Sequence, residues 1–108
     1  MQVKPLTADE ILKNIVDIIK THLPECKVYF FGSRIGNNFR EFSDFDVAVS
    51  CRGKIPAGIF FKIVDEINEI HTLKKIDLVD FYNLDKEFKQ IVLNKGRIIY
   101  DGSITIPA

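Results

Sequence analysis

The chain has 108 residues, 46% apolar and 28% charged, and its 15 basic and 15 acidic side chains cancel. That composition excludes a disordered chain, and the absence of a basic excess argues against a general nucleic-acid binder, so no direct nucleic-acid binding is expected. Every apolar run breaks before the roughly 18 residues of a membrane span, and Met-Gln-Val-Lys-Pro-Leu-Thr at the start is not a signal peptide.

The size predicts one domain over residues 1–108, with its core from about 7 to 100. Thr7 and Glu10 form a capping-box pattern, and Ile11, Leu12, Ile15, Ile18, Ile19 and Leu23 follow at helical spacing until Pro24 stops the helix. Lys27 to Phe31 reads as a strand ending at Gly32-Ser33, and Gly36, Asn37 and Asn38 supply turn chemistry. Phe45 to Ser50 is a second strand by alternation. A loop is expected through Gly53, Pro56 and Gly58, then from Ile59 an amphipathic helix carrying Phe60, Ile63, Val64, Ile67 and Ile70. Ile76 to Phe81 is the third strand. Asn83 or Asp85 caps a third helix that carries Leu84, Phe88, Ile91 and Val92 and stops near Gly96. Arg97 to Tyr100 is a short last strand, and the tail after Gly102 is expected to fray.

The order helix, strand, strand, helix, strand, helix, strand predicts an α/β chain of the two-layer α+β kind: a mixed sheet with helices on one face. Cys26 and Cys51 have neither metal nor redox-pair spacing, which fits two separate thiols in a reducing cytoplasm. His22 and His71, near helix ends, are read as partners of the C-terminal dipoles.

The segment Ser43-Asp44-Phe45-Asp46-Val47-Ala48-Val49 carries the chemistry. Strand residues two apart share a face, so Asp44 and Asp46 project together with Cα atoms about 7 Å apart, while Phe45, Val47 and Val49 point to the core. Ala48 continues the acid face and leaves room above it. Two such carboxylates repel unless a cation neutralises them, and oxygen ligands suit Mg²⁺ or Mn²⁺. Taken alone, such a pair more often marks a water-facing strand start. Upstream, Gly32 allows close backbone approach, Ser33 can cap a helical turn, and free N–H groups there suit phosphate oxygens. Arg34 adds charge to such a site or is a solvated surface residue. Asp77, set between Ile76 and Leu78, is the third candidate acid. Asp80 faces the other way near the strand end and is read as solvated.

Gly32-Ser33, ten residues, then Asp44-Phe45-Asp46 resembles the signature of the polymerase-beta-like nucleotidyltransferase superfamily. The strings Phe-Gly-Ser-Arg-Ile-Gly and Phe-Ser-Asp-Phe-Asp-Val-Ala-Val are similar to those of the minimal nucleotidyltransferases of prokaryotes. The resemblance spans about Thr7 to Tyr100 and implies that family's fold. It implies that Asp44 and Asp46 coordinate two Mg²⁺ ions, that Asp77 is the third carboxylate, and that Gly32 and Ser33 hold the triphosphate of the donor. Chains this small resemble the antitoxin of a two-gene module, whose partner is a HEPN-domain toxin silenced by AMP transferred from ATP to a tyrosine. Two other functions stay open: a non-catalytic antitoxin that masks its partner by binding, and a stand-alone small-molecule adenylyltransferase. Phe39, Phe42, Phe60 and Phe61 supply more aromatic surface than the core needs, which suits partner binding; Phe60 is read as buried.

Overall fold

The computed structural model describes residues 4–31 and 44–105, the side chains of 104 and 105 excepted. Helix α1 (Ala8–His22) starts at the capping box the sequence predicts. The Glu10 amide donates to Thr7 Oγ1 at 3.1 Å and the Thr7 amide to Glu10 Oε1 at 2.8 Å. Two of the orphan donors of the first turn are thereby satisfied. Ile11, Leu12, Ile15 and Ile19 form its buried stripe. The chain turns at Leu23, whose amide still reaches the Ile19 carbonyl, and Pro24 permits no further helix.

Four strands follow: β1 (Lys27–Phe30), β2 (Phe45–Ser50), β3 (Ile76–Asp80) and β4 (Arg97–Asp101). They lie in the order β3-β2-β1-β4. Strand β1 is antiparallel to both β2 and β4, whereas β2 and β3 run parallel. The sheet is therefore mixed, as expected. The parallel pair needs a crossover, which helix α2 (Ala57–Asn68) supplies. This helix begins two residues before the expected Ile59. Pro56 is its N-cap with φ of −55°, already suited to helix entry, and its carbonyl accepts from the Phe60 amide. Gly58 thus belongs to the first turn of the helix and not to the loop. Helix α3 (Lys86–Lys95) is capped by Asp85, the second of the two expected residues, whose Oδ1 accepts from the Phe88 amide.

The alternation along the strands sorts the core onto two sides. Val28, Phe45, Val47 and Val49 pack with the buried stripes of α1 and of α2, among them Ile15, Ile19, Ile63 and Ile67. Tyr29, Phe31 and Ala48 point the other way and pack with Val92, Phe88 and Leu84. Helices α1 and α2 share one face, as the sequence reading has it. Helix α3 crosses the opposite face, because its short apolar stripe of Phe88 and Val92 has the complementary residues of β1 and β2 to cover. The room above Ala48 is thus filled by α3.

The readings of Asp80 and of the two cysteines are corrected, and that of His22 is extended. Asp80 is not solvated: it is buried, and its two oxygens accept from the Ile55 amide at 2.8 Å and the Tyr82 amide at 3.0 Å. It caps a 3₁₀ turn at Phe81–Asn83 and ties the loop before α2 to the end of β3. A buried carboxylate is tolerable there because each oxygen has a donor. His22 meets Glu66 of α2, Nε2 to Oε2 at 2.6 Å, so its imidazole joins two helices in addition to sitting in the last turn of its own. Cys26 and Cys51 are joined in a disulfide with Cα atoms 4.6 Å apart. Lys27 pairs with Ser50, so the antiparallel register brings the two sulfurs opposite each other on the next rung, which no spacing rule reveals. Beyond β4, Gly102–Thr105 form a 3₁₀ turn where fraying was expected. A Cβ on Gly102 would lie 1.8 Å from the Pro24 carbonyl oxygen, so only glycine lets the strand end close on the α1–β1 turn. Among the described residues no helix is long and apolar enough to cross a membrane.

Asp80→Ala leaves the buried Ile55 amide without its acceptor and should cost about 2–3 kcal/mol. In calorimetry the unfolding midpoint should fall by about 10–15 °C; a midpoint within about 2 °C of wild type would show that the two hydrogen bonds are not needed. The disulfide closes a loop between residues 25 apart in sequence. Its reduction should remove about 3 kcal/mol by releasing that constraint on the unfolded chain. A denatured, unreduced sample should therefore show no thiol reactive with a chromogenic disulfide reagent, and added reductant should lower the melting midpoint. Two reactive thiols before reduction would contradict the pairing.

Candidate active site

The site starts from the pleat of β2. Phe45, Val47 and Val49 belong to the core beneath α1 and α2, which turns Asp46 and Ala48 to the other face, with Asp44 directly ahead of the strand. Ala48 is fully covered on that face, Asp46 is 6% exposed, and Asp44 at the strand start is exposed. Asp46 is thus buried on the face that α3 covers, and Asp44 is exposed just ahead of the strand.

Strand β3 adds the third acid. In the parallel register Asp46 is the partner of Asp77, Phe45 of Ile76 and Val47 of Leu78. Partner residues in a parallel pair present their side chains on the same side, and neighbouring strands lie about 4.8 Å apart. Asp77, half-buried, is thus beside Asp46 on the acid face. Ile76 and Leu78 pack toward α1 and α2. Asp80 partners Val49 and lies on that helical side, which separates it from the acid face.

Asp44 is fixed by the strand that receives it. Its Oδ2 accepts from the Lys75 amide at 2.9 Å, while the Lys75 carbonyl accepts from the amides of Asp44 and Phe45 at 2.9 and 3.0 Å. One carboxylate oxygen is thereby committed to the entry of β3. Asp46 and Asp77 are rung neighbours on one face, and Asp44 stands just ahead of β2. Among the described residues no three carboxylate, imidazole or thiolate groups stand close enough to surround a metal ion. The chemistry of the donor set nevertheless fits a hard divalent cation: Asp46 and Asp77 are adjacent carboxylates on one side of β2 and β3, and Asp44 is a third at the start of β2.

On the other side of β2, the Phe31 amide donates to the Asp46 carbonyl at 3.0 Å. Phe31 is buried edge-on against Phe88 of α3, with ring centroids 5.6 Å apart. The residue after it opens the Gly-Ser motif, so that motif leaves β1 at the acid end of the sheet. Gly32, Ser33 and Arg34 themselves lie outside the described residues, as do Phe39 and Phe42. Of the aromatic residues expected at a partner surface, Phe60 is half-buried against the core and Phe61 is 63% exposed.

The sequence reading missed a cleft of about 580 Å³ beside Asp44. Its walls are Pro5 and Leu6, ahead of α1, and the turn from His71 to Lys74 between α2 and β3. The one sequence signal was the break in helical spacing after Ile70, directly ahead of the strand that bears Asp77.

Comparison with known proteins agrees with this fold. Residues 13–105 match the family model described as polymerase beta, nucleotidyltransferase. No curated protein matches the sequence. Among solved structures, a complex of a tri-AMPylated HEPN toxin from Shewanella oneidensis with its MNT antitoxin is similar at 16% identity and a TM-score of 0.66, over 92% of this chain and 82% of that one. A toxin–antitoxin complex with AMP-PNP is similar at 18% identity and a TM-score of 0.63, over 86% and 81% of the two chains. A MntA–HpeT toxin–antitoxin complex with two Asp→Glu substitutions gives 17% identity and a TM-score of 0.62, over 93% and 83%. At these identities the likeness is one of fold. The family assignment rests on the match that covers most of the sequence, and by that match the chain belongs to the polymerase beta nucleotidyltransferase family.

Proposed function

We propose that this chain transfers AMP from ATP to a hydroxyl group of a HEPN-domain toxin, a tyrosine by the resemblance noted above, and acts as that toxin's antitoxin. The observation that carries the reading is the acid face: Asp44 and Asp46 on β2 with Asp77 as the rung neighbour of Asp46, in a chain of a nucleotidyltransferase family. The similar structures support the choice of donor and acceptor, since one holds AMP-PNP and another an AMPylated HEPN toxin.

In this reading Asp44, Asp46 and Asp77 hold two Mg²⁺ ions. When bound, the ions stabilise charge on the attacking and leaving oxygens of a phosphoryl transfer. The residues of the chain do the rest. Gly32 and Ser33 hold the triphosphate through backbone N–H groups, and Arg34 adds positive charge. The Phe31–Asp46 hydrogen bond supports this by starting the motif next to the carboxylates. The Lys75 amide orients Asp44 through one oxygen and leaves the other to face the site. The acceptor hydroxyl oxygen forms a bond to the α-phosphorus, the bond from that phosphorus to the bridging oxygen breaks, and pyrophosphate leaves. The hydroxyl proton passes to solvent.

The reaction needs ATP and so fits a cytoplasmic protein. The Cys26–Cys51 bond lies at the far end of β1 and β2, about 16 Å along the strand from Asp46, so the carboxylates are set by a part of the sheet that the disulfide does not touch.

Incubation with α-labelled ATP, Mg²⁺ and the product of the neighbouring gene as candidate partner tests the reading. Wild type should label the partner, and Asp44→Ala/Asp46→Ala should lower the rate by about three orders of magnitude or more. Asp77→Asn should lower it as well, with nucleotide binding retained. If neither form labels the partner and both bind it tightly, the chain silences by masking. Labelling of a small acceptor with no protein partner present would point to a small-molecule adenylyltransferase.

A further inference from the structure

We infer that Cys26 and Cys51 form a reversible thiol–disulfide site, in which Cys51 is the sulfur that exchanges with glutathione disulfide and Cys26 is the sulfur that closes the bond. The inference takes only the compartment from the proposed reaction. A chain that uses ATP works where glutathione keeps thiols reduced, and a disulfide in such a place is more often a labile, redox-sensing bond than a permanent staple.

The first observation is that backbone contacts hold the two cysteines together without the bond. Lys27 pairs with Ser50 in the β1–β2 ladder, so Cys26 and Cys51 occupy the next rung. The Cys26 amide donates to the Leu23 carbonyl at 3.2 Å, and the Cys26 carbonyl accepts from the Gly102 amide at 3.0 Å. The Tyr100 hydroxyl donates to the Pro24 carbonyl at 2.7 Å, which ties the same turn to the end of β4. None of these contacts involves sulfur, so the reduced chain retains them. Its Cα atoms then stay near 4.6 Å apart, a separation that a disulfide spans. The site is preformed for closure, and the apolar core beneath α1 and α2 is large enough to fold the chain in either state.

The second observation is that access to the two sulfurs is unequal. Cys26 is 6% exposed and lies in the core with Val28 and Ile19, whereas Cys51 is half-buried at the end of β2. Exchange requires that the incoming disulfide reach the sulfur, and Cys51 is the one that admits it. Exposed Arg52 and Lys54 follow Cys51 in the loop ahead of α2. On the other strands Lys27 is offset by Asp101 at 4.0 Å, and exposed Glu25 precedes Cys26. The loop side of Cys51 is therefore the electropositive side, which draws in an anionic tripeptide.

The step balances. The Cys51 thiolate attacks one sulfur of glutathione disulfide, forming a mixed disulfide and releasing one glutathione thiolate. The Cys26 thiol gives its proton to solvent and attacks the Cys51 sulfur, which releases the second. Two thiols of the chain are oxidised, and one glutathione disulfide is reduced to two thiols. The closed bond joins the turn after α1 to the loop that leads into α2, whose Ile55 amide Asp80 already holds. Oxidation thus sets how firmly this end of the sheet resists opening, while the carboxylates lie at the other end of the strands.

The folded chain is equilibrated in glutathione buffers of graded ratio, quenched with acid and weighed by mass spectrometry. Wild type should pass from dithiol to disulfide within the range of ratios. Cys26→Ala should accumulate one glutathione per chain, and Cys51→Ser should take up about tenfold less. Brief alkylation of reduced wild type with iodoacetamide, which needs no substitution, should mark Cys51 about tenfold faster than Cys26. A broad-specificity protease should cleave the reduced chain about tenfold faster than the oxidised one, and the Cys26→Ala/Cys51→Ser chain equally fast in both buffers. A bond that survives the most reducing buffer is a fixed staple, and thiols still unpaired in the most oxidising buffer never close. Either result overturns the inference, as does equal labelling of the two sulfurs or equal cleavage of the two states. No readout here involves AMP transfer, so failure of the proposed reaction is detected separately.

Discussion

The structure depends on the side-chain alternation of β2. A strand of six residues places Phe45, Val47 and Val49 in one apolar layer and Asp46 and Ala48 on the opposite face, with Asp44 continuing that face before the strand begins. A slip of one residue would exchange the two sets, putting carboxylates among isoleucines and valines on the sheet's other side. The desolvation of an unpaired carboxylate in that layer is large enough to forbid the alternative. The apolar layer thus fixes the direction of the acids, and folding and site geometry share one constraint.

The crossover through α2 carries that constraint to the next strand. Because β2 and β3 are parallel, Asp77 stands beside Asp46 with the same orientation, and Asp80 three residues on is turned to the helical side. Two acids of one short strand therefore have different fates. Asp80 is buried and spends both oxygens on backbone amides, which anchors the loop into α2. Asp77 is half-buried on the face that holds the other acids. Burial with complete hydrogen bonding marks the structural carboxylate, and a shared face marks the set suited to a cation.

The unequal cover of the sheet creates the site. Helices α1 and α2 close one face, and α3 closes the other only from Ala48, Tyr29 and Phe31 onward. That cover reaches the start of β2, because Phe31 is the rung neighbour of Asp46; Asp46 is buried there and Asp44 is exposed.

The sequence by itself determined the elements and the family. Thr7 and Glu10 marked the start of α1, and alternation marked β2 with its acid pair. The Gly-Ser to Asp-x-Asp spacing led to the family that the match over residues 13–105 establishes. These are local signals, carried by residues within one or two turns or along a single strand. What required residues far apart was decided only in three dimensions. Pairing of Cys26 with Cys51 depends on strand register, the burial of Asp80 on the loop before α2, and the His22–Glu66 contact on the packing of two helices. The place of α3 on the second face and the cleft between Leu6 and Leu73 likewise arise from how the elements stack. Local patterns state which face of an element is apolar; only the packed sheet determines which partner covers it and which part of it stays open.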